Sequence, residues 1–367
     1  MSRKEFVKLC GILGVSIPFY TSLSSCSKDD NIVPNFEGKV IIIGAGAGGL
    51  SAGYLLQQQG IDFEILEAST IYGGRMRIDT EFADFPIPLG AEWLETDTNI
   101  FQNIVNDSSV QVNVETIADA PDRKFVNGSW YNFFEEYIVP SISTKIVYNS
   151  IVQSIDYSGD QVVISTQNGE YKADKVIVSV PIKILQDGDI NFSPILPQDK
   201  LEAINDTIIW EGFKAFFEFS EKFYDDDYQF QISPASDGEK IYYNAAFGQN
   251  TTKNIIGLFV VGKPALDFTS LSDSELKDFI LNELDGIYSN QATPSYIKHI
   301  AQNWDKEPFI KAGYMTDNAD GSTIKTISKS VSNKIYFAGG AYTDGEDWVS
   351  VHTAAQSAKT AVTEIVN

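Results

Sequence analysis

The first regular pattern along the chain is an unbroken apolar run at Lys39–Ile43, which ends directly on Gly44-Ala45-Gly46-Ala47-Gly48-Gly49. Residues 50–59 then carry helical character and stop at Gly60, a residue type suited to a helix C-terminus. A second apolar strand over 61–66 ends on Glu67, 23 residues after Gly44. Strand, glycine turn, helix, strand and acid in this order predict a βαβ unit that binds a dinucleotide. Gly44 suits the tight turn, Gly46 lets a pyrophosphate approach the backbone, and Gly49 lets the helix pack closely on the strand. The helix N-terminus then faces the phosphates, and Glu67 is placed to accept a ribose hydroxyl.

Farther along, 145–155 and 161–180 alternate apolar and polar positions around an Asn168-Gly169 turn, the pattern of strands joined by a hairpin. A long strand is expected over 210–224, with Phe213, Ala215, Phe217 and Phe219 on one side and Gly212, Lys214, Phe216 and Glu218 on the other. A lysine among aromatics is unusual in a partly buried strand, and its plain reading is a side chain that snorkels to the sheet edge. Asp225-Asp226-Asp227 reads as a solvated turn. Near the end, Lys334-Ile335-Tyr336-Phe337-Ala338-Gly339-Gly340 repeats the strand-into-glycine pattern and is followed by a helix from Val349 onward.

Composition narrows the choices. A chain of 367 residues with 43% apolar and 12% aromatic side chains exceeds what one core usually serves, so two interlocked domains are expected and a disordered chain is excluded. The net charge of 27 − 50 = −23 repels phosphate backbones, which argues against a nucleic-acid partner. Two cysteines, Cys10 and Cys26, and two histidines, His299 and His352, are too few for a zinc site, an iron–sulfur cluster or a disulfide framework. No metal site is expected, and redox chemistry must come from an organic cofactor.

Residues 1–26 have a basic start (Arg3, Lys4, Lys8), a modest apolar stretch and then Leu23-Ser24-Ser25-Cys26, the layout of a secretory signal. The ending resembles a bacterial lipobox, which implies lipidation of Cys26, and Ser27-Lys28-Asp29-Asp30 resembles the export tag of surface lipoproteins. An ordinary cleaved signal is the alternative. Residues 2–8 also resemble the twin-arginine export motif, with lysine in place of the second arginine. The expectation is an exported protein of a Gram-negative bacterium, held in the periplasm or at the outer-membrane surface only through its lipid.

Gly73-Gly74-Arg75, Pro88-Leu89-Gly90-Ala91-Glu92-Trp93-Leu94, the 174–181 strand and the Gly339-Gly340 element together resemble the flavin-containing amine oxidase family, which includes monoamine oxidases, polyamine oxidases and flavin histone demethylases. The resemblance spans about residues 38–365. It implies an α/β fold in which a Rossmann-like FAD-binding domain (36–100, 145–185 and 328–367) is interleaved with a smaller α+β substrate domain (101–144 and 186–327). It places Gly74 and Arg75 against FAD, Gly90, Ala91, Glu92 and Trp93 along the isoalloxazine, the Val152 backbone at the adenine, and Gly339, Gly340 and Val349 at the C-terminal FAD element. Lys214 matches the lysine that reaches flavin N5 through a water. Trp304, Tyr314 and Trp348 match aromatics on the substrate side, with core packing as the competing reading for Tyr314 and Trp348.

The implied function is oxidation of a small or peptide-bound amine by hydride transfer to FAD, which oxygen or another acceptor then reoxidises. Lys311-Ala312-Gly313-Tyr314 stands where monoamine oxidases carry a cysteine, so FAD is expected to be non-covalent. Two departures stand out. Gly340 replaces a frequent glutamate, and the stretch between Trp93 and Lys145 is short, which implies an open site suited to large amines or a loss of catalysis. His352 reads as a packed histidine. The alternatives are a flavin desaturase resembling protoporphyrinogen oxidase and a catalytically silent lipoprotein that uses the FAD fold to bind a ligand. Oligomeric state is not legible.

Overall fold

The computed structural model describes residues 35–118, 122–225, 229–235 (backbone only), 237–315, 321–343 and 349–367. Five parallel strands form one sheet in the order Ile335–Phe337, Lys175–Val178, Lys39–Ile43, Asp62–Leu66 and Ile146–Val147. Buried on both faces, its inner strands are the near-continuous apolar runs that a parallel sheet requires. The helices Ala47–Gln58 and Val351–Val366 pack against one another.

A four-stranded sheet lies in the order Gly169–Ala173, Val162–Thr166, Val152–Asp156 and Asn191–Ser193. A separate antiparallel sheet runs Gln229–Ala235, Gly238–Asn244, Asn254–Gly262, Gly212–Phe219 and Tyr296–Asn303. The period of two sorts its residues. Phe213, Ala215, Phe217 and Phe219 join Leu276, Ile280 and Leu284 of the helix Asp273–Ile287 in one core, while Phe216 joins Phe82, Phe85, Ile87 and Leu89 in another. Lys214 shares the face of Phe216 and is directed at the turn that follows Leu89.

Several boundaries differ from the sequence pattern. The first helix begins at Ala47, inside the glycine run, and Gly60 follows its C-cap at φ 69°. The 145–155 run divides between two sheets, and the hairpin turn falls on Gln167-Asn168, with Gly169 already paired to Thr166. The expected 210–224 strand breaks at Glu211 and ends at Phe219. The last helix starts at Val351 because Ser350 and Thr353 form a reciprocal cap. The described residues pack as a single unit, and Phe101, Phe125, Trp130, Phe133 and Phe134 share a core with Val40, Ile42 and Phe63 of the parallel sheet. The 101–144 segment, expected on the substrate side, therefore buries its aromatics beside the nucleotide unit. Among the described residues, no helix is long and apolar enough to cross a membrane and no cluster of metal-ligating side chains occurs.

Candidate active site

The glycine turn is built by contacts that only glycine permits. Gly44 sits at φ 100°, and a Cβ on Gly49 would lie 1.9 Å from the Gly44 carbonyl oxygen. Gly46 is different: a Cβ there meets nothing within 4 Å. This open space lies at the start of the helix Ala47–Gln58, whose first turn has neither a side-chain cap nor an acidic residue. An uncapped helix N-terminus that adjoins open space is suited to an anion. Glu67 closes the turn, its carboxylate accepting from the amides of Ala45 at 2.6 Å and Ser69 at 2.8 Å. Burial raises its pKa against those hydrogen bonds.

Gly73 donates to the Ala45 carbonyl at 2.8 Å, which brings Gly74 and Arg75 alongside the glycine turn. Arg75 donates through Nη1 to the Gly313 carbonyl at 2.8 Å. No carboxylate among the described residues pairs with it, and burial lowers its pKa, opposed by the neighbouring Tyr314 and Tyr342. A buried guanidinium with no carboxylate partner among the described residues, on a segment that lies alongside the glycine turn, is suited to a bound anion such as a diphosphate.

Residues 88–92 cross over Arg75. The Ala91 amide donates to the Arg75 carbonyl at 2.8 Å, and a Cβ on Gly90 would lie 1.8 Å from that same oxygen. Trp304 supports the crossing from behind: its indole Nε1 donates to the Leu89 carbonyl at 3.0 Å, and the residue is 4% exposed. Arg77 lies over that indole, 5.5 Å from the ring centroid, and makes a two-point pair with Glu307 at 2.8 and 3.1 Å. Trp304 thus braces the turn instead of forming an open wall.

Lys214 is 2% exposed, and its ammonium donates to Pro88 O at 3.1 Å, Gly90 O at 3.0 Å and Glu92 Oε2 at 2.6 Å. Its three N–H groups are all taken, so a bridging water of the kind the resemblance implies would have to displace one of these acceptors. Trp93 packs its ring 4.8 Å from the ammonium. Glu92 also accepts from Tyr243 at 2.6 Å and faces Lys124 at 3.2 Å. Lys124 and Tyr243 carried no sequence signal, because they reach Glu92 from strands distant along the chain.

At the C-terminal element, Gly339 (φ 143°) lies so close to the first helix that a Cβ on Gly48 would be 2.8 Å from its Cα. Its amide donates to Ser357 Oγ at 2.8 Å. A Cβ on Gly340 would fall 2.9 Å from Val349 Cγ1, and the Tyr314 hydroxyl donates to the Val349 carbonyl at 2.8 Å. His352 is buried, with Nδ1 2.6 Å from the Ser350 hydroxyl. Val152 opens a strand of the four-stranded sheet and is buried in the core that also holds Ala341 and Tyr342. Trp348, Cys10, Cys26, Asp226 and Asp227 lie outside the described residues.

Asp305 accepts from the Gly212 amide at 3.1 Å, and burial raises its pKa to about 6, opposed by that hydrogen bond and reinforced by Glu211. The folded protein therefore binds a proton that the unfolded chain releases, and stability falls as pH rises from about 4 to 6. Asp305→Asn, which can still accept from Gly212, is expected to raise Tm at pH 7 and leave it unchanged at pH 4. Asp305 is only half buried, so solvent screening holds the gain to about 1 kcal/mol. Thermal unfolding of both proteins at the two pH values checks this, and a variant no more stable at pH 7 refutes it.

Comparison with known proteins agrees with this geometry. The model of the flavin containing amine oxidoreductases matches residues 131–366, and that of an NAD(P)-binding Rossmann-like domain matches 42–107. Mouse lysine-specific histone demethylase 1B is 29% identical over 45% of this chain, and human lysine-specific histone demethylase 2 is 29% identical over 46%. The chain covers only 21% of the length of each. Polyamine oxidase 2 of Arabidopsis thaliana is 22% identical over 76% of this chain and 78% of its own. A redesigned putrescine oxidase superposes with a TM-score of 0.73 at 14% identity, covering 90% of this chain and 99% of that one, which establishes the shared fold. With nearly two thirds of its length matched by one family model and both sheets in place, the chain belongs to the flavin containing amine oxidoreductase family.

Proposed function

We propose that this protein oxidises the C–N bond of an amine with FAD held non-covalently. The observation that carries the reading is the convergence of Arg75, the 88–92 turn and the distant Lys214, which are hydrogen-bonded through consecutive backbone groups. When bound, FAD supplies an acceptor for a hydride equivalent from the carbon that bears the nitrogen, and oxygen or another acceptor reoxidises it. The chain's own residues do the rest. Gly44, Gly46, Gly49 and Arg75 hold the diphosphate, Glu67 the ribose, and Val152 the adenine end. Gly74, Gly90, Ala91, Trp93, Gly339, Gly340 and Val349 keep backbone and ring close to the flavin end. Lys214 holds positive charge beneath Gly90, and Trp304 keeps that turn in place. Tyr314 and Trp348 are assigned to the substrate wall.

The substrate class is a small or peptide-bound amine, which the net charge of −23 attracts as a cation before it enters. Both cysteines precede residue 27, which supports non-covalent FAD, and we extend the proposal to export as a Cys26-lipidated protein. Purified protein is expected to be yellow, to release its flavin on acid precipitation, and to bleach under anaerobic amine. A colourless protein overturns the FAD assignment, and a yellow one that no amine bleaches overturns the amine.

A further inference from the structure

Arg77 follows Arg75 by two residues, and the glycine motifs give it no task. Its guanidinium meets Glu307 at two points, Nη1 with Oε1 at 2.8 Å and Nη2 with Oε2 at 3.1 Å, and lies 5.5 Å from the centroid of the Trp304 ring. Glu307 is held in turn. Its Oε1 also accepts from Gln302 Nε2 at 2.9 Å, and Gln302 is the residue paired with Lys214 across the antiparallel sheet. The side chains of Arg77 and Glu307 are 24% and 25% exposed, and an ion pair that open to water adds little to the stability of a fold. What a two-point pair does fix is the plane of the guanidinium.

The indole that faces this guanidinium is pinned along its edge. Trp304 Nε1 donates to the Leu89 carbonyl, and a Cβ on Gly90 would fall 2.9 Å from Trp304 Cζ2 as well as 1.8 Å from the Arg75 carbonyl oxygen. The turn is thus packed between the Arg75 backbone and the indole, and the Ala91 amide closes it on Arg75. Arg75, Ala91, Leu89, Trp304 and Arg77 form a circuit of contacts that returns to the segment where it began. Arg77 supplies the link that closes it.

We propose that Arg77 is a positioning residue of the cofactor site: its guanidinium, oriented by Glu307, holds the Trp304 indole against Leu89 and Gly90 and so fixes the turn on which the flavin end of the cofactor lies. The inference rests on the FAD reading above. Lysine cannot replace the arginine here, because a compact charge on a flexible stem has no plane to lay on the ring and does not reproduce the two-point pair.

Exchange of the indole N–H groups with solvent, followed by NMR, tests the brace without any cofactor. The Trp304 signal is the one lost in Trp304→Phe, and the other four indoles, the buried Trp130 among them, are the internal control. Arg77→Met is expected to speed exchange at Trp304 about tenfold, the loss of one cation–π contact, and to leave the others unchanged. Arg77→Lys should show the same selective rise. A merely structural role would speed the buried indoles together. That result, an unchanged Trp304 signal, or wild-type protection in Arg77→Lys overturns the proposal. If Arg77→Met does not fold, Arg77→Lys decides.

FAD titration of the apoprotein tests the consequence. Arg77→Met should weaken binding about tenfold when Trp304 is present and have no further effect in Trp304→Phe, where the indole N–H that holds Leu89 is already gone. An equal loss in both backgrounds overturns the proposal. If Trp304→Phe binds no FAD at all, the single variant decides, and wild-type affinity in it overturns the proposal. A wild-type protein that takes up no FAD refutes the FAD reading alone, and indole exchange then decides whether Arg77 holds Trp304.

Discussion

Lys214→Met is expected to retain its flavin and to be reduced on the order of 10²-fold more slowly by an amine that bleaches the wild-type protein. Methionine approximates the volume of the lysine stem, so the strand Gly212–Phe219 keeps its packing. The ammonium is what disappears, and with it the charge that meets the Pro88 and Gly90 carbonyls and Glu92. Two buried carbonyls lose a donor, so Tm falls as well, while Lys124 and Tyr243 remain to hold the carboxylate. An interaction that strengthens during reaction lowers turnover more than it weakens substrate binding. Stopped-flow reduction at matched flavin content separates the rate from the stability, and a wild-type rate removes Lys214 from the site.

The two glycines at the cofactor position should fail in opposite ways. Gly90→Ala drives a Cβ to 1.8 Å from the Arg75 carbonyl oxygen and 2.8 Å from its carbon, which are backbone atoms that no rotamer can move aside. We expect a loss of about 3 kcal/mol in chemical denaturation, with flavin lost as the turn lifts off Arg75. Gly46→Ala meets nothing within 4 Å at φ −79°, so its stability should match wild type. Its methyl group would nevertheless stand in the open space before the helix N-terminus, and flavin content should fall sharply. A Gly46→Ala protein that holds flavin as tightly as wild type shows that this space is not where the diphosphate lies.

The parts of the fold carried by local pattern were legible in the sequence. Lys39–Ile43, the glycine turn and Glu67 are neighbours along the chain, and the physics that joins them is local. The alternation around Lys214 was also readable, because a period of two sorts a strand's faces whatever it packs against. What the lysine touches was not readable. Glu92 lies 122 residues away and Lys124 90, and no spacing rule links them. The hairpin slip from Asn168-Gly169 to Gln167-Asn168 has a similar origin, since the paired register of Thr166 with Gly169 is set across the sheet. Where the 101–144 aromatics pack was not readable either, because aromatics suit any core and only the tertiary arrangement selects the one beside Phe63.

The pairing of the helix Ala47–Gln58 with the helix Val351–Val366 joins segments about 300 residues apart, and the strand Ile335–Phe337 completes a sheet that begins at Lys39. A ribosome therefore delivers the first strands and the glycine turn long before the surfaces that cover them exist. Val40, Ile42 and Leu50 lack their share of the core from the helix Val351–Val366 until about 300 further residues have been made. The part of the site encoded first is closed only by segments encoded far downstream.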